Sequence, residues 1–488
     1  MARISFKKRD YTRSPVLTRD LTEKLCFETT DSSILRKQAD FLIKGSKPRD
    51  VNAQAARLAN QFIRQNRGIL GNIGINLEQE FDGNSVYLVF RSSTKVGAIP
   101  LLSPTSGKPD FGLIIKPRFG WKGLGIMLSQ MGWRIIPSPL NLPLLPRSDR
   151  KIPPWVLSSI ILFRLQALLD RLERRFEFTE SDLSAPHGTV NWRLYATSYL
   201  SRANFLKVPC RFPDLRDDRE LKAAIHFTLR KQLDSLESQR SAGIIVVQLI
   251  ALCQSLLERV KNVPPKQPAP SSITAWYKGP LRTDIFRNGL QAMEWTIEDR
   301  GLAGLSDLQG LPWVMSMEAF FEAWIEAVAE KLVKQIGGII KTGRKRETLA
   351  PLHWSPPYLG TQKYLLPDLL IERENMTIIM DAKYKSHWED LNQEQWHNLE
   401  EELRERHRAD LLQVLAYSTL FSTKKIISCL IYPCSNHTWQ SLKNRERIFH
   451  RASLYAANRE VVLILAAVPM VASIPDSVAY LIKALKNN

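Results

Sequence analysis

The sequence predicts a multidomain α/β protein with a small N-terminal β domain, a central helical region and a C-terminal mixed sheet flanked by helices. Three observations lead to that expectation. Between about residues 85 and 136, SVYLVFRS, KVGAIPLLS and FGLIIKPRFG are short β-type runs separated by Gly, Pro and Ser. Further on, WVLSSIILFRLQALLDRLERRF, RELKAAIHFTLRKQLDSL and IIVVQLIALCQSLLERV show helix-like apolar spacing. From about residue 310 the order becomes helix, strands, helix, strand, which suits a central sheet covered by helices.

The elements follow in order. Residues 1–75 read as a polar, mostly helical segment of unassigned role, with ARLANQFIRQN its clearest amphipathic stretch. Residues 76–140 form the expected β domain, closed by the proline-rich PSPLNLPLLPRSDRKIPPW. Residues 150–305 form the helical region. Residues 310–488 form the last domain. In it SMEAFFEAWIEAVAEKLVKQI is a helix with Phe320, Phe321, Trp324, Ile325, Val328 and Leu332 on its apolar face. RADLLQVLAYSTLF is a second helix, KIISCLIYP and REVVLILAAVP are strands, and DSVAYLIKALK is a terminal helix.

Composition narrows the partners. The 488 residues, 44% hydrophobic, suffice for a sizeable core and roughly two to four domains. A formal charge of +19, from 68 Lys+Arg against 49 Asp+Glu, favours a polyanion, because each neutralised phosphate releases counterions. No uninterrupted apolar run reaches transmembrane length, and MARISFKKRDYTRS lacks the apolar core of a secretion signal. Nucleic acid is therefore expected rather than a membrane, in a cytoplasmic protein. Cys26, Cys210, Cys253, Cys429 and Cys434 are odd in number and mostly widely spaced, which argues against a disulfide framework. There is no C-x-x-C or H-E-x-x-H pattern for zinc, and no G-x-x-x-x-G-K-[ST] phosphate loop. Any nucleotide hydrolysis that drives this system comes from another protein.

One segment, LLPDLLIERENMTIIMDAKYK, carries the chemistry. KYLLPDLLIE and MTIIMDAKY read as strands joined by a tight polar turn at Glu374-Asn375. Asp381 and Lys383 stand two apart on a strand, so they point to one face. Asp381 follows Ile378, Ile379 and Met380 and so enters or borders a core, where an unpaired carboxylate is costly. A divalent cation offsets that cost. If the two strands pair as a hairpin, Asp368 converges on the same site. Two carboxylates holding Mg²⁺, or Mn²⁺ in its place, beside a lysine make a phosphodiester-hydrolysing site. The lysine can orient or help activate the attacking water and offset transition-state charge. The competing reading is a surface hairpin with an ordinary Asp–Lys pair.

This order of residues resembles the PD-(D/E)XK nuclease superfamily, which implies that fold for residues 310–488 and catalytic roles for Asp368, Asp381 and Lys383. Gln413 and Tyr417, four apart on the following helix, share a face. A Q-x-x-x-Y pair after the catalytic lysine recurs in one branch of the superfamily, implying a catalytic role for Gln413 and a supporting one for Tyr417. A third carboxylate is not chosen by spacing. Glu318, Glu322, Glu326 and Glu330 recur every four residues, as a solvated helix face also would.

The chain as a whole resembles the McrC family, the nuclease subunits of McrBC modification-dependent restriction systems. Met317-Glu318-Ala319-Phe320-Phe321-Glu322 matches the Met-x-x-Leu/Phe-Phe-Glu pattern that opens the family's nuclease domain. The match selects Glu322 as the first acidic residue, joining Asp368 and Asp381 as metal ligands. The family usually has Asp before that Met, where this chain has Ser316. Upstream likeness is looser, from roughly residue 80, in KVGAIPLLS, FGLIIKPRFG and the region around HGTVNWRLYATSYLSRANF. The resemblance implies double-stranded DNA as substrate, a McrB-like AAA+ GTPase or ATPase as partner, and a role in defence against foreign DNA. It also implies that the β domain docks on that partner and stimulates its nucleotide hydrolysis. Arg91, Lys95, Lys116 and Arg118 lie there, each read as a surface charge. Lys341, Arg344, Lys345, Arg346 and Lys385 are candidate DNA contacts near the cut. Trp121 and Trp192 read as core or interface aromatics. The alternatives are a scaffold that activates a AAA+ motor with cleavage secondary, or a transposon or recombination nuclease of the same superfamily.

Overall fold

Strands and one long helix build the N-terminal part of the computed structural model. The structure describes residues 26–43, 50–83, 85–120, 127–128, 130–140, 142, 155–172, 175–216, 218–278, 283–298, 301–302, 310–356, 362–393, 401–456, 459–470 and 474–486. Contacts divide the chain into two units, Met1–Pro153 with Leu302–Asn488, and Pro154–Gly301. Trp121 lies outside the described residues.

In the first unit, β1 (Cys26–Thr30), β2 (Ile34–Gln38), α1 (Val51–Ile73), β3 (Asn76–Asp82), β4 (Ser85–Arg91), β5 (Lys95–Leu101), β6 (Phe111–Lys116) and β7 (Ser138–Pro139) come first. Asp50 caps α1 by accepting from Asn52 N and Ala53 N, and Gly74 ends it in the left-handed region. Leu58, Phe62, Leu70 and Ile73 of α1 enter one core with Leu88, Phe90, Ile99 and Leu113. Residues 26–42 correct the helical expectation, since β1, β2 and a short 3₁₀ turn occupy them. β1 pairs in parallel with β6, a partner far along the chain, which no local pattern can announce.

The second unit holds α2 (Trp155–Arg171), β8 (Arg175–Leu183), β9 (Thr189–Val190), β10 (Val208–Arg216), α3 (Arg219–Glu237), α4 (Ile244–Val260), α5 (Pro270–Lys278) and α6 (Asp284–Ile297). The region is therefore not purely helical, because β8, β10 and β9 form a sheet in that order. Glu177, Thr179, Glu180, Ser181 and Asp182 give β8 a polarity that hides its strand character. Trp192 is 67% exposed, so it is not a core aromatic.

The first unit resumes with β11 (Trp313–Ser316), α7 (Met317–Ile336), β12 (Ile339–Thr342), β13 (Leu369–Arg373), β14 (Met376–Ala382), α8 (His387–Gln393), α9 (Glu401–Ser418), β15 (Lys425–Cys434), α10 (Asn436–Asn444), β16 (Phe449–Ala456), β17 (Arg459–Pro469) and α11 (Ile474–Lys486). A mixed six-stranded sheet runs in the order β12-β13-β14-β15-β17-β16. β14, β15 and β17 are parallel neighbours, and β12, β13 and β16 are antiparallel to theirs. α7 packs on this sheet and on α11 with its apolar face fully buried.

β11 belongs to the other sheet. It completes the order β1-β6-β5-β11-β7 by pairing antiparallel with β5. Gly97 permits that approach, because a Cβ there would sit 2.1 Å from the Trp313 carbonyl oxygen, and its φ is +154°. Among the described residues, no helix is long and apolar enough to cross a membrane.

Candidate active site

The β-branched run of β14 extends through the sheet, and its last residues emerge at one edge of the core. Register Leu369↔Met380 sets Asp368 level with Asp381. Asp368 Oδ2 accepts from the Ala382 N–H at 2.9 Å, which ties the Pro-Asp corner to the end of β14. Lys383 N donates to the Ile431 carbonyl at 2.9 Å, and its Nζ lies 2.8 Å from Asp381 Oδ2. Glu322 arrives from α7. Ser316 caps that helix by accepting from Ala319 N at 3.2 Å, so the departure from Asp keeps the capping role.

Burial and like charge dominate the electrostatics. Burial, then the charges of Asp381 and Glu322, push the Asp368 carboxyl up to about 8, against the Ala382 N–H and Lys383. Burial also raises Asp381, with Lys383 opposing. Glu322 is raised by burial and then by Glu318 and Asp381, with Lys383 opposing. Burial works to lower the Lys383 ammonium, but Asp381, Asp368 and Asp410 outweigh it and hold it protonated.

This excess of negative charge fits a hard divalent cation. Asp381 is fully buried; its Oδ2 meets the Lys383 ammonium at 2.8 Å, and its Oδ1 has no hydrogen-bond partner. An unpartnered carboxylate oxygen in an all-oxygen donor set suits Mg²⁺. Among the described residues, no three carboxylate, histidine or thiol groups are already closed into a metal cluster. Asp368 feels the charge of Asp381 first and that of Glu322 next.

The other expected residues divide. Gln413 Nε2 donates to the Tyr417 hydroxyl at 2.7 Å, and Tyr417 is buried with its hydroxyl 3.4 Å from the Leu366 carbonyl. Tyr417 thus braces the strand entering Asp368. Lys341 is paired with Glu372, Arg344 with Glu326, and Lys385 with Asp410. Lys345 and Arg346 are exposed on the turn after β12. The four glutamates of α7 are not one solvated face. Glu326 is 5% exposed and pairs with Arg134 and Arg344, Glu330 pairs with Arg134, and Glu318 is exposed.

Sequence reasoning missed Asp410. It is buried, accepts from Lys385 Nζ at 2.7 Å and from the Tyr432 hydroxyl at 3.0 Å, and opens the Asp-x-x-Gln spacing with Gln413. It also missed the packed rings of His387, His407 and Tyr432 beside it, where burial lowers His387 to about 3. Of the N-terminal charges, Arg91 on β4 pairs with Glu78 and Glu80 of β3, and Lys116 on β6 pairs with Glu28 of β1. Arg118 does not stay at the surface: its guanidinium pairs with the buried Asp31.

A family model described as McrBC 5-methylcytosine restriction system component matches residues 127–433, more than half of the chain. No curated protein matches the sequence. Two solved structures from Thermococcus gammatolerans show distant likeness. One is the refined half-complex from the tetradecameric assembly of McrB AAA+ hexamers with bound McrC, with 12% identity, 94% of this chain and 100% of that chain covered, and a TM-score of 0.41. The other is the cryo-EM structure of the McrBC complex, with 13% identity, 63% and 88% covered, and a TM-score of 0.27. Neither of these structural likenesses carries the functional reading.

Proposed function

Because this chain belongs to the McrBC 5-methylcytosine restriction system component family, we propose that its six-stranded sheet carries a divalent-metal-dependent, DNA-cleaving centre of the PD-(D/E)XK type. One observation carries the reading: the fully buried Asp381 and the half-buried Asp368 repel each other at the end of the sheet, beside Lys383. An isolated buried cluster of this kind is destabilising, and a site for a cation and a phosphodiester explains why it is there.

Asp368, Asp381 and Glu322 would hold the cation. Bound Mg²⁺ supplies Lewis acidity and lowers the pKa of its water. Lys383, held beside Asp381, acts on the attacking water and as a charge and hydrogen-bond donor to the reacting phosphate. Gln413 stands exposed next to Tyr417, where it can orient water or substrate. The substrate is double-stranded DNA, modified in the family's pattern. The energy-consuming partner is a AAA+ GTPase or ATPase, since this chain has no phosphate loop.

The test uses the full-length chain with its AAA+ partner, nucleotide, Mg²⁺, and methylated or unmethylated plasmid. The parent should cut and Lys383→Ala should not, while both stimulate the partner's nucleotide hydrolysis alike. Equal cutting by Lys383→Ala would sink the proposed chemistry. Stimulation without any cutting by the parent would favour the scaffold reading.

A further inference from the structure

The loop that follows β14 carries Lys383, Tyr384, Lys385 and Ser386, and it is gripped from the N-terminal sheet. β1 and β6 run parallel and end together, so the turn at Asp31-Ser32 lies against Pro117-Arg118. Asp31 is 2% exposed, and its two oxygens accept from the Arg118 backbone N–H and from Arg118 Nε, the latter at 2.9 Å. The remaining guanidinium nitrogens reach outward, one to Ser32 Oγ and one to Ser386 Oγ. The guanidinium carbon stands 4.9 Å from the centre of the Tyr384 ring. Phe119 meets the same ring edge-on at 5.7 Å, and Phe321 of α7 lies 6.3 Å away on another side. Tyr384 is buried directly beside Lys383.

The same sheet also supports Glu322. β11 pairs with β5, Met317 N donates to the Thr94 carbonyl at 3.0 Å, and α7 starts at once. The N-terminal sheet therefore holds two routes into the site, one through β11 to Glu322 and one through Arg118 to the Lys383 loop. The first is backbone pairing. The second depends on one side chain whose fork satisfies three partners, a geometry that lysine lacks.

We propose that Arg118, oriented by Asp31, is a positioning residue for Lys383: it clamps Tyr384 and Ser386 so that the lysine faces Asp381. The inference rests on the cleavage reading for its meaning, but not for its test. The partners of the Arg118 guanidinium are Asp31, Ser32, Ser386 and the Tyr384 ring, so it acts on Lys383 through the loop. It makes the N-terminal sheet part of the cutting machinery, and anything that strains the β1–β6 end changes how well Lys383 is placed.

The experiment labels surface amines of the full-length, metal-free chain with a small acylating reagent and reads each lysine by peptide mass spectrometry. In the parent, Lys383 should label slowly, because its side chain is 20% exposed and held on Asp381. Arg118→Ala should speed Lys383 labelling by about tenfold, leave Lys345 unchanged, and lower the cleavage rate without weakening DNA binding. Arg118→Lys should fail to restore slow labelling. If Arg118→Ala does not fold, Ser386→Ala decides, since it removes the grip on the loop and leaves Asp31 paired; it should shift Lys383 in the same direction by a smaller factor. Arg91→Ala, an exposed charge on the same part of the chain, is the control. Unchanged Lys383 labelling in a folded Arg118→Ala, or in Ser386→Ala where Arg118→Ala is unfolded, overturns the proposal. Equal acceleration at Lys345 also overturns it, because that marks general loosening. Labelling needs neither DNA nor metal, so its outcome is separate from whether the chain cuts.

Discussion

Two lysines stand two residues apart after β14, and each ends on a buried aspartate. Lys383 meets Asp381 at 2.8 Å, and Lys385 meets Asp410 at 2.7 Å. The surroundings differ. Asp410 has both oxygens bonded, to Lys385 and to the Tyr432 hydroxyl, so its charge is matched. Asp368 is raised by the charges of Asp381 and Glu322, so the Asp381–Lys383 contact leaves negative charge over at its corner. Charge balance, rather than the presence of a buried Asp–Lys pair, separates a structural contact from a site built for a cation and an anionic substrate.

The largest expected effect breaks the comparison most directly. Asp381→Asn should lower DNA cleavage on the order of a thousandfold, whereas Asp410→Asn should stay within about tenfold of the parent. Equal losses in a plasmid-nicking assay would mean that both pairs serve catalysis. Stability should move the other way. Asp368→Asn removes a carboxylate from a repulsive, buried position, and should stabilise the metal-free protein by about 1–3 kcal/mol at pH 8. Asp410→Ala should destabilise it by about 2 kcal/mol, because Lys385 and Tyr432 lose their acceptor. Denaturant melts of the two variants would measure both.

The pH dependence sharpens the contrast further. Asp368 is raised to about 8 in the folded chain, against about 3.9 when unfolded. The folded state therefore binds the extra proton between those values, and its stability falls as pH rises from about 4 to about 8. A bound cation displaces that proton, so added Mg²⁺ should raise the melting temperature more at pH 8 than at pH 6. A Mg²⁺ effect that is the same at both pH values would count against Asp368 as a ligand. The smallest effect is expected from Gln413→Ala, a loss of about threefold to tenfold in cleavage rate with Mg²⁺ affinity by calorimetry unchanged.

The hairpin of β13 and β14 was legible in the sequence because its cues are local: Pro367-Asp368, a polar turn, and an apolar run ending at Asp381. α7 was equally legible, since Phe320, Trp324 and Val328 repeat at helical spacing and are all buried. Spacing could not separate the glutamates of that helix, because what distinguishes Glu322 from Glu326 is the neighbour each meets across space. Glu326 pairs directly with Arg134 and Arg344, while Glu322 is raised by burial, Glu318 and Asp381, with Lys383 and Arg344 opposing. β1 and β8 escaped for related reasons: the first pairs with a distant strand and the second is polar. Arg118 looked like any basic residue in a charged chain until its partners Asp31 and Ser386 were placed beside it.

The seating of β11 against β5 at Gly97 has a consequence for how the chain is made. As synthesis proceeds from the N-terminus, β5 is complete long before β11 emerges, with the whole Pro154–Gly301 unit translated in between. During that interval β5 offers an open, apolar edge to any neighbouring strand. The nascent chain must keep that edge vacant and then admit the right strand, whose carbonyl fits only over a residue without a side chain. A fragment truncated before residue 313 carries the vacancy permanently, and aggregation of such fragments is the expected mark of a sheet that waits for its own C-terminal half.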